Sequence, residues 1–450
     1  MTRTGSSRRR FLKQTTAAGV GASMLPAVSW SRVLGSNERL NMAVIGTGGM
    51  GTGHTQRLVD RKQAENIDVI SVCDVYRRRL NNAMRIIDKG DGSGTMEYRE
   101  VIDNPDVDAV LIATPDHWHT KMSIEAMENG KDVYVEKPLS HTIPQALACR
   151  DAVKRTGRTL QVGPQGTSEG NFWAARKAIA EGRIGKPVWS QGAYCRNSRG
   201  GQFNWAMQAD AGPNNDPGAD GYVWWDQWLG HEHGLAPKID WNPEHFFRFR
   251  KYFAYNGGLA TDLLYHRLSP LIMAISGHSG EYPKRVVASG GIYLEKDDRD
   301  IPDTFFMMVD YPSEHTVVLS SVMTNDDTWP YVIRGQHATM NFGNGIDLKE
   351  QGVWSNEFRA NNGIETRKVR DEDGKTKDEP GRGRAEVHLG SVPRRDHMGN
   401  FLDAVRNGDQ LACDVDLGCS VMVAIKMGVE AYRQNKVMLW DPQKEEMIAT

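Results

Sequence analysis

A chain of 450 residues with 39% hydrophobic, 25% charged and 8% aromatic residues has the composition of a globular protein of two or three domains. Its 55 basic and 57 acidic residues leave a formal charge of -2, which gives no electrostatic basis for a nucleic-acid or anionic-membrane partner. No apolar run reaches the roughly 18 residues a membrane span needs, and the five cysteines (Cys73, Cys149, Cys195, Cys413, Cys419) form no CxxC pair, against a zinc ribbon or disulfide framework.

At the N-terminus, Ser7-Arg8-Arg9-Arg10-Phe11-Leu12-Lys13 fits the twin-arginine export pattern S-R-R-x-F-L-K. A mildly apolar stretch follows from Thr15 to Val28, and Ala27-Val28-Ser29 offers small residues for cleavage. Residues 1–29 are therefore expected to be an export signal, and the mature protein periplasmic or otherwise exported. That route carries folded proteins, often with a cofactor inside. Free nicotinamide nucleotide is not available there, so a nucleotide enzyme on this route is expected to hold its cofactor tightly.

Leu40 to Ile45 reads as an apolar strand running into Gly46-Thr47-Gly48-Gly49-Met50-Gly51, with a helix expected over Thr52 to Arg61. Gly46, Gly48 and Gly51 fit G-x-G-x-x-G: a tight turn, an opening for a pyrophosphate, and a close helix–strand contact. The N-terminus of that helix offers free N–H groups to the phosphates. A second strand, Val69 to Cys73, ends at Asp74, where the fingerprint expects an acid for the ribose hydroxyls. Arg77, Arg78 and Arg79 follow and keep a 2'-phosphate open, so the expectation is NAD(P), with NAD favoured.

The α/β alternation continues with strands at 108–113, 131–135 and 160–163 and helices at 121–128 and 143–156, the pattern of a doubly wound parallel sheet. Ligands in such sheets sit beyond the carboxyl ends of the strands. That position is held by Thr114-Pro115-Asp116-His117-Trp118-His119 and by Glu136-Lys137-Pro138.

The glycine fingerprint, ATPDHWH at 113–119, EKP at 136–138, QVGPQ at 161–165 and GGLATDLLYH at 257–266, in this order, resemble the Gfo/Idh/MocA family of glucose–fructose oxidoreductase and inositol dehydrogenase. The resemblance implies an α/β fold: a Rossmann domain, here 38–164, then an α/β domain, 165–450, with an open, largely antiparallel sheet that often makes oligomer contacts, so a homo-oligomer (dimer or tetramer) is expected. It also implies Lys137, Asp262 and His266 as the catalytic set. Gly46, Gly48, Gly49, Met50, Gly51, Asp74, Thr114, Pro115, His117, His119, Glu136, Lys137 and Gln165 are the expected cofactor contacts.

From the residues themselves, Asp262 and His266 are four apart and share a helix face. A carboxylate beside an imidazole is expected to raise its pKa and make His266 a proton carrier near neutrality. Lys137, at a strand end, can polarise a hydroxyl. His231-Glu232-His233 lies between two glycines and reads as a loop, so no metal is expected. Tryptophans 205, 224, 225, 228 and 241 crowd one stretch and suit either sugar-ring faces or a core; Tyr194, Arg196 and Asn197 are weaker candidates for the pocket.

Further strands are expected at 286–293, 304–310 and 316–322, a long exposed charged loop over 355–388, and helices between Arg395 and Arg433. The function expected is NAD(P)-dependent hydride transfer to or from a sugar or polyol. The alternative is a redox-neutral glycoside hydrolase or lyase working by oxidation, elimination, addition and reduction.

Overall fold

The computed structural model describes residues 39–450 apart from 371, 372, 374 and 380–382; the expected signal segment, 1–29, lies outside the described residues. The first sheet contains β1 (Leu40–Ile45), β2 (Ile67–Cys73), β3 (Gly94–Thr95), β4 (Ala109–Ile112), β5 (Asp132–Val135) and β6 (Leu160–Val162), all parallel, in the order β3-β2-β1-β4-β5-β6. Strands such as Ala109-Val110-Leu111-Ile112 are uniformly apolar because helices cover both faces. The order reverses between β1 and β4, which opens a crevice at their carboxyl ends.

The connecting helices follow their local signals. Helix Ile143–Thr156 starts at a Thr142/Gln145 capping box and stops at Gly157 in the left-handed conformation, as its sequence predicts. Two helices begin earlier than expected, at Gly49 and at Asp116. The first opens on Gly49-Met50-Gly51, whose glycines are poor helix formers and give no apolar period, and the second on the mostly polar Asp116-His117-Trp118-His119 stretch, so neither first turn shows the helical pattern.

The second sheet is mixed and mostly antiparallel. It comprises β7 (Pro187–Ala193), β8 (Arg285–Gly291), β9 (Thr304–Tyr311), β10 (His315–Val322), β11 (Val332–Gly335), β12 (Ala338–Gly343) and β13 (Gly345–Glu350), extended at both edges by later strands. Only the β7/β10 pair is parallel among the described ladders of this sheet. The expected loop over 355–388 is instead structured. It contains a helix, Ser355–Asn361, a hairpin of β14 (Arg367–Arg370) with β15 (Thr376–Glu379), and β16 (Glu386–Leu389), which pairs with β13 at the sheet edge. β16 alternates between exposed and half-buried positions, so as an edge strand it needs no apolar run. β17 (Met438–Asp441) and β18 (Glu446–Ala449) close the opposite edge.

Helix Val415–Gln434 is buried around most of its circumference and packs on helix Ile143–Thr156, helix Tyr265–Ser276 and β8, which joins the two sheets. Helix His397–Asn407 returns to the first sheet. Its Phe401 and Leu402 pack with Leu40, Met42 and Tyr134 in one cluster, and Arg395 bonds Glu65. A segment from the far end of the chain thus completes the core under the glycine turn.

Candidate active site

A cleft of about 700 Å³ runs from the glycine turn, across the ends of β1, β4 and β5, to the helical segments of the second part of the chain. At its first end Gly46 has φ +86° and its N–H bonds the Cys73 carbonyl at 2.8 Å. A Cβ there would stand 2.8 Å from the Ala113 backbone, and one on Gly51 would stand 1.8 Å from the Gly46 oxygen. Only glycine permits both approaches. A Cβ on Gly49 meets nothing within 4 Å and no side chain caps the helix, whose Gly48, Gly49 and Met50 line the cleft. Open space in front of free N–H groups fits a dinucleotide pyrophosphate.

Asp74 ends β2 and lines the same cleft. Its Oδ2 accepts from the Thr47 N–H (2.7 Å) and its Oδ1 from the Tyr76 N–H (2.8 Å), so the carboxylate also fixes the turn. Of the three arginines after it, Arg77 donates to the Pro217 carbonyl and Arg78 pairs with Asp210. Arg79 lies against the rings of Tyr76, Phe246 and Phe247, near Gly48.

At the other end lie Lys137, Asp262 and His266, brought together from positions 125 apart in sequence. Lys137 Nζ donates to Asp262 Oδ1 at 2.9 Å and to the Asp262 carbonyl at 2.8 Å. Arg250, which sequence reasoning missed, donates its Nε to the same Oδ1 at 2.9 Å. Burial alone would raise the Asp262 pKa, but the charges of Lys137 and Arg250 hold it far below the usual carboxylate range.

Asp262 sits in a π-helical turn, Ala260–Leu264, ahead of helix Tyr265–Ser276. Its carboxylate faces the two cations, and no bond to His266 forms. The expectation of a raised imidazole pKa is therefore corrected: burial, followed by the nearby Lys137 charge, pushes His266 down to about 3, so the ring is neutral near pH 7.

A second residue was passed over. Asp116 opens helix Asp116–Glu128, is buried, and lines the cleft. Burial pushes its carboxyl up to about 7, against the opposing charges of Arg250 and Lys137. It was legible only as part of the ATPDHWH loop; nothing in the sequence said which side chain of that loop faces the cleft.

The two histidines of that loop turn inward and are absent from the cleft wall, a correction to the expected cofactor contact. His117 Nε2 meets the Trp228 carbonyl at 3.0 Å, and burial pushes its pKa down to about 4. His119 is held between the carbonyls of Pro138 (2.6 Å) and Thr114 (2.9 Å). It ties the loop after β4 to the loop after β5 and so braces the Lys137 segment. Thr114 and Pro115 do line the cleft, and the Thr114 hydroxyl is buried without a partner among the described residues.

Glu136 lines the cleft with Oε1 bonded to His54 Nε2 at 2.7 Å and to Gln165 Nε2 at 3.0 Å. Burial opposes its ionisation, but the His54 hydrogen bond brings its pKa to about 2. Gln165 also donates to the Tyr134 hydroxyl, so it braces Glu136 from a neighbouring hollow. The tryptophans divide. Trp225 stacks on Trp228 at 4.9 Å and meets Trp241 edge-on within a core cluster, whereas Trp205 and Trp228 reach the cleft. His231 and His233 occupy a short 3-10 turn, and no His/Cys/Asp/Glu group able to hold a metal occurs among the described residues.

The fold and the cleft define a two-part α/β protein with a dinucleotide-binding Rossmann domain. Residues 40–164 match the Gfo/Idh/MocA family model, described as "Oxidoreductase family, NAD-binding Rossmann fold", so this part has the NAD-binding fold of that family. The chain is 33% identical over 155 residues to scyllo-inositol 2-dehydrogenase (NAD(+)) of Bacillus subtilis, covering 34% of this chain and 44% of that one. It is 25% identical over 257 residues to an alpha-N-acetylgalactosaminidase of Shewanella oneidensis, covering 51% and 54%. The chain thus spans about half the length of the curated relatives it matches. Among solved structures, the WlbA dehydrogenase of Bordetella pertussis, in complex with NADH and UDP-GlcNAcA, superposes with TM-score 0.62 at 14% identity, over 90% of this chain and 99% of that one. That likeness extends the shared fold through the second sheet.

Proposed function

We propose that the protein is a nicotinamide-dependent oxidoreductase acting on a sugar or polyol hydroxyl. The observation that carries this reading is the single cleft that joins the glycine turn to Lys137, Asp262, His266 and Asp116. Gly48, Gly49, Met50, Asp74, Thr114 and Pro115 would hold the cofactor, and Arg77 and Arg78, being engaged elsewhere, favour NAD over NADP. When bound, the nicotinamide supplies the acceptor for a hydride from the sugar carbon. Lys137, oriented by Asp262, donates a hydrogen bond to the substrate oxygen, and neutral His266 orients the hydroxyl. Asp116, with a proton affinity near neutrality, takes the hydroxyl proton.

This assignment has a signed pH dependence. Sugar oxidation rises as Asp116 ionises through about pH 7 and then levels off. In Asp116→Asn that limb disappears and the rate drops. Stability moves the other way. A carboxyl whose native pKa is raised stabilises the fold below its unfolded value near 4, and that stability is lost as pH climbs through about 7. Asp116→Asn therefore melts higher than the wild type at pH 8. Rate profiles and melting curves from pH 5 to 9 check both; an unchanged acid limb in the variant removes Asp116 from the proton path.

The twin-arginine pattern supports export with the cofactor in place, and hence a cycle in which a second carbonyl compound reoxidises it. Denaturing mature periplasmic protein should release nucleotide detectable by mass spectrometry; protein that carries none and turns over only with added NAD counts against retention. The similarity to the Shewanella protein supports a second reading, redox-neutral glycoside cleavage with the same residues. Release of an aglycone from a chromogenic glycoside without any added acceptor would favour it.

The homo-oligomer has support in the second sheet, one face of which exposes large apolar side chains. Trp189, Phe306 and Met308 share that face by register, each more than a third exposed, and Arg334 lies 3.6 Å over the Trp189 ring. An apolar face of this kind suits a second copy. Met308→Glu is expected to lower the mass measured by light scattering to that of a monomer; an unchanged mass would put the contact elsewhere.

A further inference from the structure

The cations of the cleft are not evenly spoken for. At the dinucleotide end Arg78 has Asp210, and Arg79 lies beside Gly48, in reach of a pyrophosphate. At the sugar end three cations, Lys137, Arg196 and Arg250, share the cleft with three carboxyls, Asp116, Glu136 and Asp262, of which Glu136 is bonded to His54 and Gln165. Asp262 is already shared by Lys137 and Arg250, each at 2.9 Å. That trio carries a net positive charge.

Arg196 has no carboxylate partner among the described residues. It follows β7, where its N–H bonds the Val322 carbonyl at 2.8 Å. Its guanidinium lies 4.9 Å over the Tyr194 ring, and Nη2 donates to the Tyr194 hydroxyl at 3.0 Å. Tyr194 in turn lies 6.1 Å from the His266 ring, which places this arginine near the proposed chemistry. A planar, half-buried guanidinium with donors left over suits a bidentate anion. Arg250 adds a second one beside Trp205, whose exposed ring can cover a sugar face.

We propose that the substrate is an acidic sugar, with its anionic group held by Arg196 and favoured by the Arg250 charge. This rests on the oxidoreductase reading for the orientation of the sugar, but not for its binding. A neutral sugar would leave the Arg196 guanidinium without an anion, whereas a carboxylate or phosphate gains charge-assisted hydrogen bonds there.

The test is calorimetric binding to nucleotide-loaded protein, with hydride transfer followed separately at 340 nm. The probes are neutral aldoses, the corresponding uronates and the corresponding 6-phosphates in gluco, galacto and manno configurations. The expected result is that an acidic member binds roughly 10- to 100-fold more tightly than its neutral counterpart. Preference for the uronate or for the phosphate identifies the anion. Arg196→Gln should bring the acid down to the affinity of the neutral sugar, and Arg196→Lys should retain part of the preference. The wild-type panel decides even if a variant does not fold. Neutral sugars binding as well as acidic ones, or no acidic sugar binding at all, overturns the proposal. An acidic sugar that binds selectively without reducing the cofactor leaves this proposal standing and removes the oxidoreductase reading for that sugar.

Discussion

Replacing Lys137 with methionine should lower the rate of hydride transfer by on the order of 1000-fold while leaving nucleotide binding intact. Methionine keeps the length and apolar volume of the side chain but removes the ammonium that sits 2.9 Å from Asp262 Oδ1. The glycine turn lies at the other end of the cleft and does not depend on that ammonium. Asp262 keeps Arg250 as a partner, so the buried carboxylate is not orphaned and the fold should persist. The measurement is single-turnover reduction at 340 nm beside nucleotide content by mass spectrometry. A loss confined to kcat indicates a contact that strengthens in the transition state; an equal loss of bound nucleotide would make Lys137 a binding residue instead.

The same cluster shows what sequence can and cannot carry. Lys137 was legible because it follows a buried strand directly, and in a parallel sheet the strand end fixes its position. The glycine turn was legible because all its constraints fall within six residues of chain. Arg250 was not, since its importance arises only when the chain folds it onto the Asp262 carboxylate that also holds Lys137. The proton affinity of His266 went the wrong way because folding buries the ring and sets the Lys137 charge near it, while the Asp262 carboxylate faces Lys137 and Arg250 instead. His117 and His119 looked like cleft residues by position, yet the Trp228 carbonyl takes one ring nitrogen of His117 and the carbonyls of Pro138 and Thr114 take both of His119. Polar residues at a strand end either face a ligand or tie loops together, and spacing alone does not separate the two.

At the cofactor end the largest expected effect belongs to Gly51→Ala. The added Cβ would stand 1.8 Å from the Gly46 oxygen, and neither side can yield: Gly46 is itself pressed against the Ala113 backbone, and Gly51 is in the first turn of the helix. The helix start must move away from β1, taking with it the N–H groups that face the cleft. The expected outcome is nucleotide affinity reduced by 10- to 100-fold or more, with a cost to stability of about 1–3 kcal/mol from overpacking. Gly49→Ala separates the two effects, because its Cβ meets no protein atom within 4 Å and points into open space. That variant should melt at or slightly above the wild-type temperature, since alanine favours the helix, yet bind nucleotide more weakly because the methyl group occupies the space in front of the phosphates. Equilibrium NAD binding and thermal melts on the two variants check this. If Gly49→Ala binds nucleotide as well as the wild type, the pyrophosphate does not lie against this turn, and the proposed cofactor placement fails with it.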